Sequence, residues 1–413
     1  MWKSTATKSD WRLSLTRVLE MVLVLLATAL GAFLFGRSQS PADIGGEDRE
    51  SLQLYAEALD VVREEYVDKE AVDPDKQTNA AIEGMLDSLG DDGHTRFLTP
   101  EEVKSNREGL SGTYIGVGIR LEDKASDVVV ASPIEGSPAA EAGVRSGDVV
   151  IAVNGKSVRE EDTSEVVERI KGEAGTEVEL TVRRGDEDRD FTLERTQIDS
   201  PVASWARIAG SDVALVQLTS FTDDSAEELD KAFEEARDAG ARRFVLDLRD
   251  NPGGRLDQAV EISGAFLKPG SVVYIREEAG GKREKVEVED GAEPTNAPVA
   301  VLVNGETASS AEILAGALRD NGRAAVVGTT TYGTGTVLSE FTLSDGSALL
   351  LGVAEWLTPN GDFIRETGID PDVRVELEED EEPLTPSEVR EMSREKALER
   401  DAQLARALRE LRE

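Results

Sequence analysis

The sequence contains no cysteine, a single histidine and few aromatic residues, which make up 5% of its 413 positions. The missing cysteines exclude disulfide bonds, a thiolate nucleophile and a cysteine-ligated zinc site. Histidine is the usual general base of a serine triad, so any Ser-His-Asp triad in this chain would have to use His94. We expect neither a metal nor an organic cofactor.

Basic residues are also scarce relative to acidic ones. The chain has 46 Lys and Arg against 84 Asp and Glu, a formal net charge of −38 at pH 7. Because such a surface repels polyanions, we predict no nucleic-acid partner. The acidity fits either an ordinary solvated surface or adaptation to high salt, which would screen the self-repulsion, and the sequence leaves both open.

The one long hydrophobic run lies near the N-terminus. Residues 18–36 lie between Arg17 and Arg37 and contain Glu20 as their only charge. A helix of this length rises about 28 Å, roughly one hydrocarbon core. Basic residues precede the run and acidic residues follow it, which predicts an N-terminus inside the cell. We therefore predict a single-pass anchor in the cytoplasmic membrane with the bulk of the chain outside; a cleaved signal peptide is the alternative.

Hydrophobic periodicity and turn residues divide the chain into segments. The core segment alternates strands at 213–218, 243–248 and 299–303 with helices, which predicts a multidomain α/β protein. The predicted segments are a cytoplasmic tail (1–17), a transmembrane anchor (18–36), a linker (37–50), a helical segment (51–105), a small partly open β-barrel (106–196), an α/β core (197–375), and an acidic linker with a C-terminal helix (376–413). For the C-terminal helix, packing on its own core and a homodimer contact both stay open.

A Gly-rich segment opens the small barrel. Gly-rich strand backbone can offer free amides to a carboxylate while the strand edge accepts an added peptide strand. Downstream lie the runs Ser137–Gly143, Ser146–Val150 and Val153–Gly155, and together these motifs resemble a PDZ domain in a circularly permuted bacterial arrangement. The resemblance implies a groove for protein C-terminal tails. The residues implied to bind the peptide are Tyr114, Ile115, Gly116, Val117, Gly118 and Ile119, with Val166 and Ile170 on the facing helix.

Two loops follow buried strands of the predicted core. Asp247–Gly254 ends in paired glycines that let another backbone approach closely and whose amides could bind an oxyanion. Val303–Ile313 ends in small residues at the start of a predicted helix. A hydroxyl held there suits nucleophilic attack, because the helix dipole and free amides favour negative charge, although a serine at this position is also a common N-cap.

In this order, the motifs resemble those of the carboxyl-terminal processing proteases, also called tail-specific proteases, a family of serine peptidases. Further segments similar to the family are Gly90–Pro100, Gly328–Val337 and Asp401–Leu408. The resemblance implies cleavage of proteins near their C-termini outside the cytoplasmic membrane by a Ser–Lys dyad. It implies that Ser309 is the nucleophile, with oxyanion donors at Ser310 and at Gly253 or Gly254.

The lysine of that dyad is absent. Its position is occupied by Thr334, and Leu338 stands where the family often has glutamine. A threonine hydroxyl cannot take the proton of a serine as a buried lysine can. No lysine occurs from 286 to 395, which leaves carboxylates such as Glu312 and Asp345, or a distant lysine, as candidate bases.

We therefore predict a serine peptidase homologue in which catalysis is impaired or absent. The alternative is a catalytically silent PDZ scaffold that binds C-terminal tails or regulates other proteases. His94 lies in a segment that resembles the family, and we interpret it as structural.

Overall fold

The computed structural model describes residues 46–91, 94–124, 127–134, 136–159, 161–292, 294–378 and 381–411. The chain divides into two compact units, residues 1–80 and 81–413. In the described part of the first unit, helix α1 (Gly46–Glu65) and a 3₁₀ helix (Lys69–Ala71) precede the start of α2 (Pro74–Asp87).

The structure corrects the predicted membrane anchor, together with the fold and localisation that rested on it. In the described part of the chain, no helix is both long and apolar enough to cross a lipid bilayer. The longest described helix, α1, is rich in Glu, Asp and Arg, which are costly to place in hydrocarbon. Residues 18–36, where the span was predicted, lie outside the described residues. The described fold is a multidomain α/β structure without the predicted anchor.

A short strand and a helix precede the small barrel, β1 (Arg96–Leu98) and α3 (Pro100–Ser111). Thr99 is the N-cap residue of α3. The Thr99 amide donates to Glu102 Oε2 at 2.8 Å, and the Glu102 amide donates to Thr99 Oγ1 at 3.3 Å. This reciprocal capping box satisfies two amides that the first turn of a helix leaves without partners.

The PDZ region is a six-stranded antiparallel sheet with two helices, flanked by a two-stranded sheet of β2 and β9. Its elements are β2 (Thr113–Gly116), β3 (Ile119–Lys124), β4 (Asp127–Pro133), α4 (Pro138–Ala142), β5 (Val149–Val153), β6 (Lys156–Ser157), α5 (Thr163–Ile170), β7 (Glu177–Arg184), β8 (Glu187–Glu194) and β9 (Thr196–Asp199). The sheet order is β3-β4-β5-β7-β8, with β6 paired to β5. Asn154 and Gly155 form a tight turn between β5 and β6, and both residues have positive φ.

The segment Tyr114–Ile119, expected to be one strand, is divided into β2 and β3 by a turn at Val117 and Gly118. Gly118 has φ +77°, and a Cβ on it would lie 2.1 Å from the Cβ of Ser137. Val117 turns inward and is 1% exposed in the PDZ core. The turn places β3 at the outer edge of the PDZ sheet.

The core contains the strand and helix alternation that the sequence predicted. Its elements are β10 (Ala203–Arg207), β11 (Val213–Leu218), α6 (Ser225–Asp238), β12 (Arg243–Asp247), α7 (Leu256–Gly264), β13 (Val272–Glu278), β14 (Arg283–Glu287), β15 (Val299–Val303), α8 (Ser310–Asp320), β16 (Ala325–Gly328), β17 (Thr336–Thr342), β18 (Ala348–Leu357) and β19 (Val373–Arg374). One sheet has the order β10-β11-β12-β15-β16-β19 and is parallel except for β10. The other is antiparallel and joins β1, β18, β13 and β14, with β17 also paired to β18.

The parallel sheet is buried on both faces, as continuous apolar strands require. Along β15, Val301 packs with α6, α7 and α8 on one face, and Leu302 faces the C-terminal helices on the other. The C-terminal segment, predicted as one helix, forms three: α9 (Pro386–Glu391), α10 (Arg394–Arg400) and α11 (Ala402–Glu410). Extended backbone at Met392 and Asp401 separates them. These helices therefore pack on their own core, and a homodimer contact stays a prediction.

Candidate active site

Three loops meet at the carboxyl edge of the parallel sheet. They follow β12, β15 and β16, which are neighbouring parallel strands, so their ends lie at the same edge. This edge is where open α/β sheets place their functional groups. The three loops cover residues 248–255, 304–309 and 329–335 and contain the predicted residues Ser309, Thr334, Gly253 and Gly254. The remaining predicted oxyanion residue, Ser310, begins helix α8 directly after the second loop.

Side chains of the loops hold one another in place. The Asn304 side chain donates to Asp250 Oδ1 at 2.7 Å and accepts from the Asp250 amide at 3.0 Å. The Thr307 hydroxyl donates to the Leu248 carbonyl at 2.8 Å. The Ala308 amide donates to the Asn251 carbonyl at 2.9 Å. Several hydrogen bonds therefore fix residues 304–309, called here the nucleophile loop after the predicted nucleophile Ser309, to residues 248–255, called the glycine loop.

Ser309 has a strained backbone at the start of α8. Its φ of +53° and ψ of −120° lie in a region that residues with a side chain rarely adopt. Its amide donates to Glu312 Oε2 at 2.8 Å and to Thr334 Oγ1 at 3.2 Å, which holds the strained conformation. Within the described residues, the Ser309 hydroxyl has no hydrogen-bond partner.

Glu312 organises the site from a fully buried position. Oε1 accepts from the Thr331 hydroxyl at 2.6 Å and the Gly333 amide at 2.7 Å, while Oε2 accepts from the amides of Ser309 and Thr334. Four donors occupy this carboxylate, so it joins the nucleophile to the loop after β16 and is not free to act as a base. Its spacing from Ser309 is that of a capping box, the signal in the sequence that could have identified this role.

Two amides beside Ser309 are free to bind an oxyanion. Gly253 was one predicted donor, but its amide donates to Asn251 Oδ1 at 2.8 Å. In the described structure, the amides of Gly254 and Ser310 have no partner. The Ser310 hydroxyl donates to the Gly254 carbonyl at 3.0 Å, which holds the two residues together.

Both glycines are required by close backbone packing. A Cβ on Gly253 would lie 2.7 Å from the Cβ of Ser309, and one on Gly254 would lie 2.2 Å from the carbonyl oxygen of Phe221. Asn251, which the sequence analysis missed, supports this turn from a fully buried position. Its side chain donates to the Leu218 carbonyl at 2.7 Å and accepts from Gly253. Its place directly before a Pro-Gly-Gly run is the local signal for such a turn residue.

A buried ion network lies under the glycine loop. Arg249 pairs with Asp247 at 2.7 Å and with Asp401 at 2.9 Å, and all three side chains are fully buried. Burial alone would lower the pKa of Arg249, but the carboxylates of Asp247 and Asp401 raise it, so the guanidinium stays charged. Asp401 also accepts from the Leu404 amide at the start of α11. The C-terminal helix is thereby connected to the strand end that leads into the glycine loop.

Thr334, predicted to occupy the position of the family's base, contacts Ser309, the predicted nucleophile. Thr334 is 5% exposed, donates its amide to Glu312 and accepts from the Ser309 amide through its hydroxyl. Asp345, another candidate base, accepts from the Ser347 hydroxyl and amide in the turn between β17 and β18. The Ser347 hydroxyl lowers the pKa of Asp345, which makes this carboxylate a poorer proton acceptor.

The predicted peptide-binding residues are divided between the surface and the interior of the PDZ domain. The amides of Val117 and Gly118 have no hydrogen-bond partner within the described chain, and β3 follows directly as the outer strand. The side chains of Val166 and Ile170 on α5 are 0% and 5% exposed and pack in the PDZ core, not along an open groove. Tyr114 and its neighbours in β2 pair with β9.

Two family models match this chain. Peptidase family S41 matches residues 212–375, and the PDZ domain model matches residues 129–184. The carboxy-terminal processing protease CtpA of Bacillus subtilis (strain 168) is 36% identical over 86% of this chain and 76% of that relative. A "Probable CtpA-like serine protease" of Staphylococcus aureus (strain COL) is 35% identical over 86% of this chain and 71% of that relative.

A solved structure shares the fold. A protein described as an S41 protease from Bacteroides fragilis NCTC 9343 is 19% identical, with a TM-score of 0.51 over 77% of this chain and 89% of that one. A PDZ domain joined to an α/β core with a serine at a helix start is the architecture of a serine-type hydrolase of this class. The chain belongs to the carboxy-terminal processing protease family within peptidase family S41. The resemblance identified from the sequence motifs is confirmed.

Proposed function

We propose that this protein is a serine endopeptidase that cleaves other proteins near their C-termini, with Ser309 as the nucleophile. The observation that carries the proposal is the strained backbone of Ser309, whose unpartnered hydroxyl lies at a helix start near two unpartnered amides. Strain of this kind persists only where the surrounding structure enforces it, and it concentrates at functional sites.

The catalytic step uses these groups in sequence. The Ser309 oxygen bonds to the scissile carbonyl carbon as its O–H bond breaks, and the carbonyl π electrons pass to oxygen, which becomes an oxyanion. The proton that Ser309 gives up is delivered to the leaving nitrogen when the C–N bond breaks. The amides of Gly254 and Ser310 donate to this oxyanion, and the dipole of α8 favours its charge. Collapse of the intermediate releases the amine product and leaves an acyl-enzyme, which water then hydrolyses.

The PDZ domain supplies the preference for C-terminal tails. We assign the tail carboxylate to the free amides of Val117 and Gly118, and the extended tail to the outer edge of β3. The support is the Gly118 turn, whose packing against Ser137 fixes both amides. The side chains of Val166 and Ile170 contribute by supporting α5 from the core.

Turnover is lower than in a relative with the lysine base. Thr334 cannot accept the serine proton, and a positioned general base contributes typically about 10²–10⁴-fold to such reactions. The oxyanion donors and substrate binding continue to act without the lysine, so catalysis is impaired and not abolished.

The test is cleavage of an unstructured protein with an apolar C-terminus by the full chain. We expect slow cleavage by the wild type that is lost in Ser309→Ala and retained in Ser387→Ala, a change at an exposed serine. A C-terminally amidated substrate should be cleaved less efficiently, because the PDZ amides lose their carboxylate. Cleavage that persists in Ser309→Ala would contradict the assignment.

A silent PDZ scaffold is the second candidate function. It is favoured by Thr334 at the position of the base and by the four donors that saturate Glu312. Tail binding by a folded wild-type chain, with no Ser309-dependent cleavage, would select this candidate over the peptidase.

A further inference from the structure

His94 is the one imidazole in the sequence, and its side chain is 15% exposed. Nδ1 lies 3.5 Å from Asp91 Oδ1, while Nε2 is buried and has no hydrogen-bond partner among the described residues. A buried polar atom without a partner costs about 1–3 kcal/mol, so native structures rarely keep one without a use. The pairing leaves one ring nitrogen oriented by a carboxylate and the other available.

This imidazole contacts the loop that carries Thr334. The His94 ring meets the Tyr332 ring edge-on, with centroids 6.1 Å apart and planes at 87°. The Tyr332 amide donates to the Thr307 carbonyl at 3.0 Å, two residues before the nucleophile. His94 is therefore separated from the Ser309 loop by a single residue of the loop after β16.

Asp91 reaches the other end of the same loop through Arg365. Arg365 Nη2 donates to Asp91 Oδ1 at 2.8 Å, and Nη1 lies 3.6 Å from Glu355. A Cβ on Gly335 would lie 2.5 Å from the Cβ of Arg365, so the backbones are in close contact. The titratable and charged groups around His94 are thus Asp91 directly, Tyr332 across the ring edge, and Arg365 with Glu355 behind Asp91.

The other candidate bases are engaged or chemically unsuited. Glu312 is saturated by four donors, and Asp345 is held by Ser347. Arginine does not deprotonate in proteins, and no lysine occurs from 286 to 395. His94 combines a free nitrogen, a carboxylate partner and contact with the catalytic loop.

We propose that His94 is the proton acceptor for Ser309 and takes the place of the absent lysine, with Asp91 holding its Nδ1–H. This inference rests on the proposed peptidase function. As Ser309 Oγ bonds to the scissile carbonyl carbon, its proton passes to Nε2 and the carbonyl π electrons pass to oxygen. Nε2 returns the proton to the leaving amine when the C–N bond breaks, and water repeats the cycle on the acyl-enzyme.

His94 and Ser309 share no direct hydrogen bond in this structure. The proton therefore moves after substrate binding brings the two side chains together. Catalytic hydrogen bonds commonly reach their working length only in the substrate complex.

The test compares the full-length wild type with His94→Gln and with the double variant His94→Gln/Thr334→Lys in the cleavage assay. We expect His94→Gln to lower kcat about 100-fold or more with little change in KM. The double variant should have a kcat at least about tenfold higher than that of His94→Gln, because the added lysine supplies another base. If the role of His94 were purely structural, Thr334→Lys would raise kcat by the same factor with and without His94→Gln, so the Thr334→Lys single variant is the matched comparison.

Asp91→Asn is a second readout. This variant keeps the imidazole but removes the carboxylate that orients its Nδ1–H, so kcat should fall with little change in KM, and Asp91→Glu should restore part of the loss. Asp91→Asn decides the question if His94→Gln does not fold.

The outcomes separate the two proposals. Ser309-dependent cleavage by the wild type, with kcat of His94→Gln above half the wild-type value, overturns the role of His94 and leaves the peptidase function standing. A folded Asp91→Asn variant with wild-type kcat likewise overturns the role of His94. A folded wild type that cleaves nothing overturns both proposals.

Discussion

Single residues at the sheet edge hold the proposed catalytic machinery in a conformation that the backbone alone would avoid. Ser309 has a positive φ because its amide is shared between Glu312 and Thr334, and Gly253 and Gly254 pack where no side chain fits. Thr334, predicted to stand in place of the family's lysine, offers no base but has a hydroxyl that accepts from the Ser309 amide. The same residue therefore contributes to strain at the nucleophile without contributing to proton transfer.

Replacing Glu312 tests this arrangement. In Glu312→Gln, the side-chain NH₂ group of glutamine faces groups that are themselves hydrogen-bond donors. We therefore expect the free energy of unfolding to drop by about 2–3 kcal/mol. Turnover should fall about 100-fold, because Ser309 loses the group that orients it. Chemical denaturation and the cleavage assay measure both effects.

The control for that experiment is Glu306→Gln in the same loop, at an exposed position. It should change stability by less than about 0.5 kcal/mol and leave kcat unaltered. A Glu312→Gln variant with wild-type kcat would show that the carboxylate does not position the nucleophile.

At the scale of elements, an ion pair between Arg184 and the buried Asp148 stabilises the PDZ sheet. Arg184 on β7 binds both oxygens of Asp148 at 2.7 Å, and the Arg145 amide adds a third donor at 2.9 Å. Burial opposes ionisation of Asp148, but these donors outweigh it and lower its pKa. The pair joins the start of β5 to the end of β7, strands that are paired in the sheet.

This ion pair predicts the pH dependence of PDZ stability. A carboxylate whose pKa is lower in the folded state stabilises above the unfolded value of about 3.9, and the stabilisation is lost as the pH falls through the folded pKa. Asp148→Asn should lower the free energy of unfolding by about 2 kcal/mol near pH 7. The difference from the wild type should shrink between about pH 5 and pH 2.

Thermal denaturation of the full chain at several pH values measures this difference in stability. Hydrogen exchange of the PDZ amides in the same proteins assigns it to the PDZ domain. Asp186→Asn, at an exposed site in the β7–β8 turn, is the matched control and should behave as the wild type. A stability difference between Asp148→Asn and the wild type that grows as the pH falls would contradict the direction of the pKa shift.

How far the sequence predicted these elements depended on the kind of signal. Val213–Leu218 and Val299–Val303 were predicted with their observed bounds, because parallel strands buried on both faces are continuous apolar runs. The break at Gly118 was missed because it depends on packing against Ser137, a residue distant in the sequence. The saturation of Glu312 and the contact between His94 and Tyr332 depend on contacts across loops, which composition and periodicity do not encode.

At the scale of the whole molecule, distant segments of the second unit converge on one sheet edge. The glycine loop, the nucleophile loop and the loop after β16 form the candidate site, and the segment before β1 supplies His94 and Asp91. The C-terminal helices close the opposite face of the sheet and reach the glycine loop through the Arg249 network. Activity in this account therefore depends on the integrity of this whole unit.

The central claim is that Ser309 is still activated although the lysine of the family is absent. The most direct measurement is the reaction of the full chain with a fluorophosphonate, in which an activated serine oxygen attacks phosphorus and fluoride leaves. We predict a single phosphonylated residue, Ser309, located by peptide mass spectrometry, with much slower labelling in His94→Gln. A folded wild-type protein that forms no adduct at Ser309 would contradict the account.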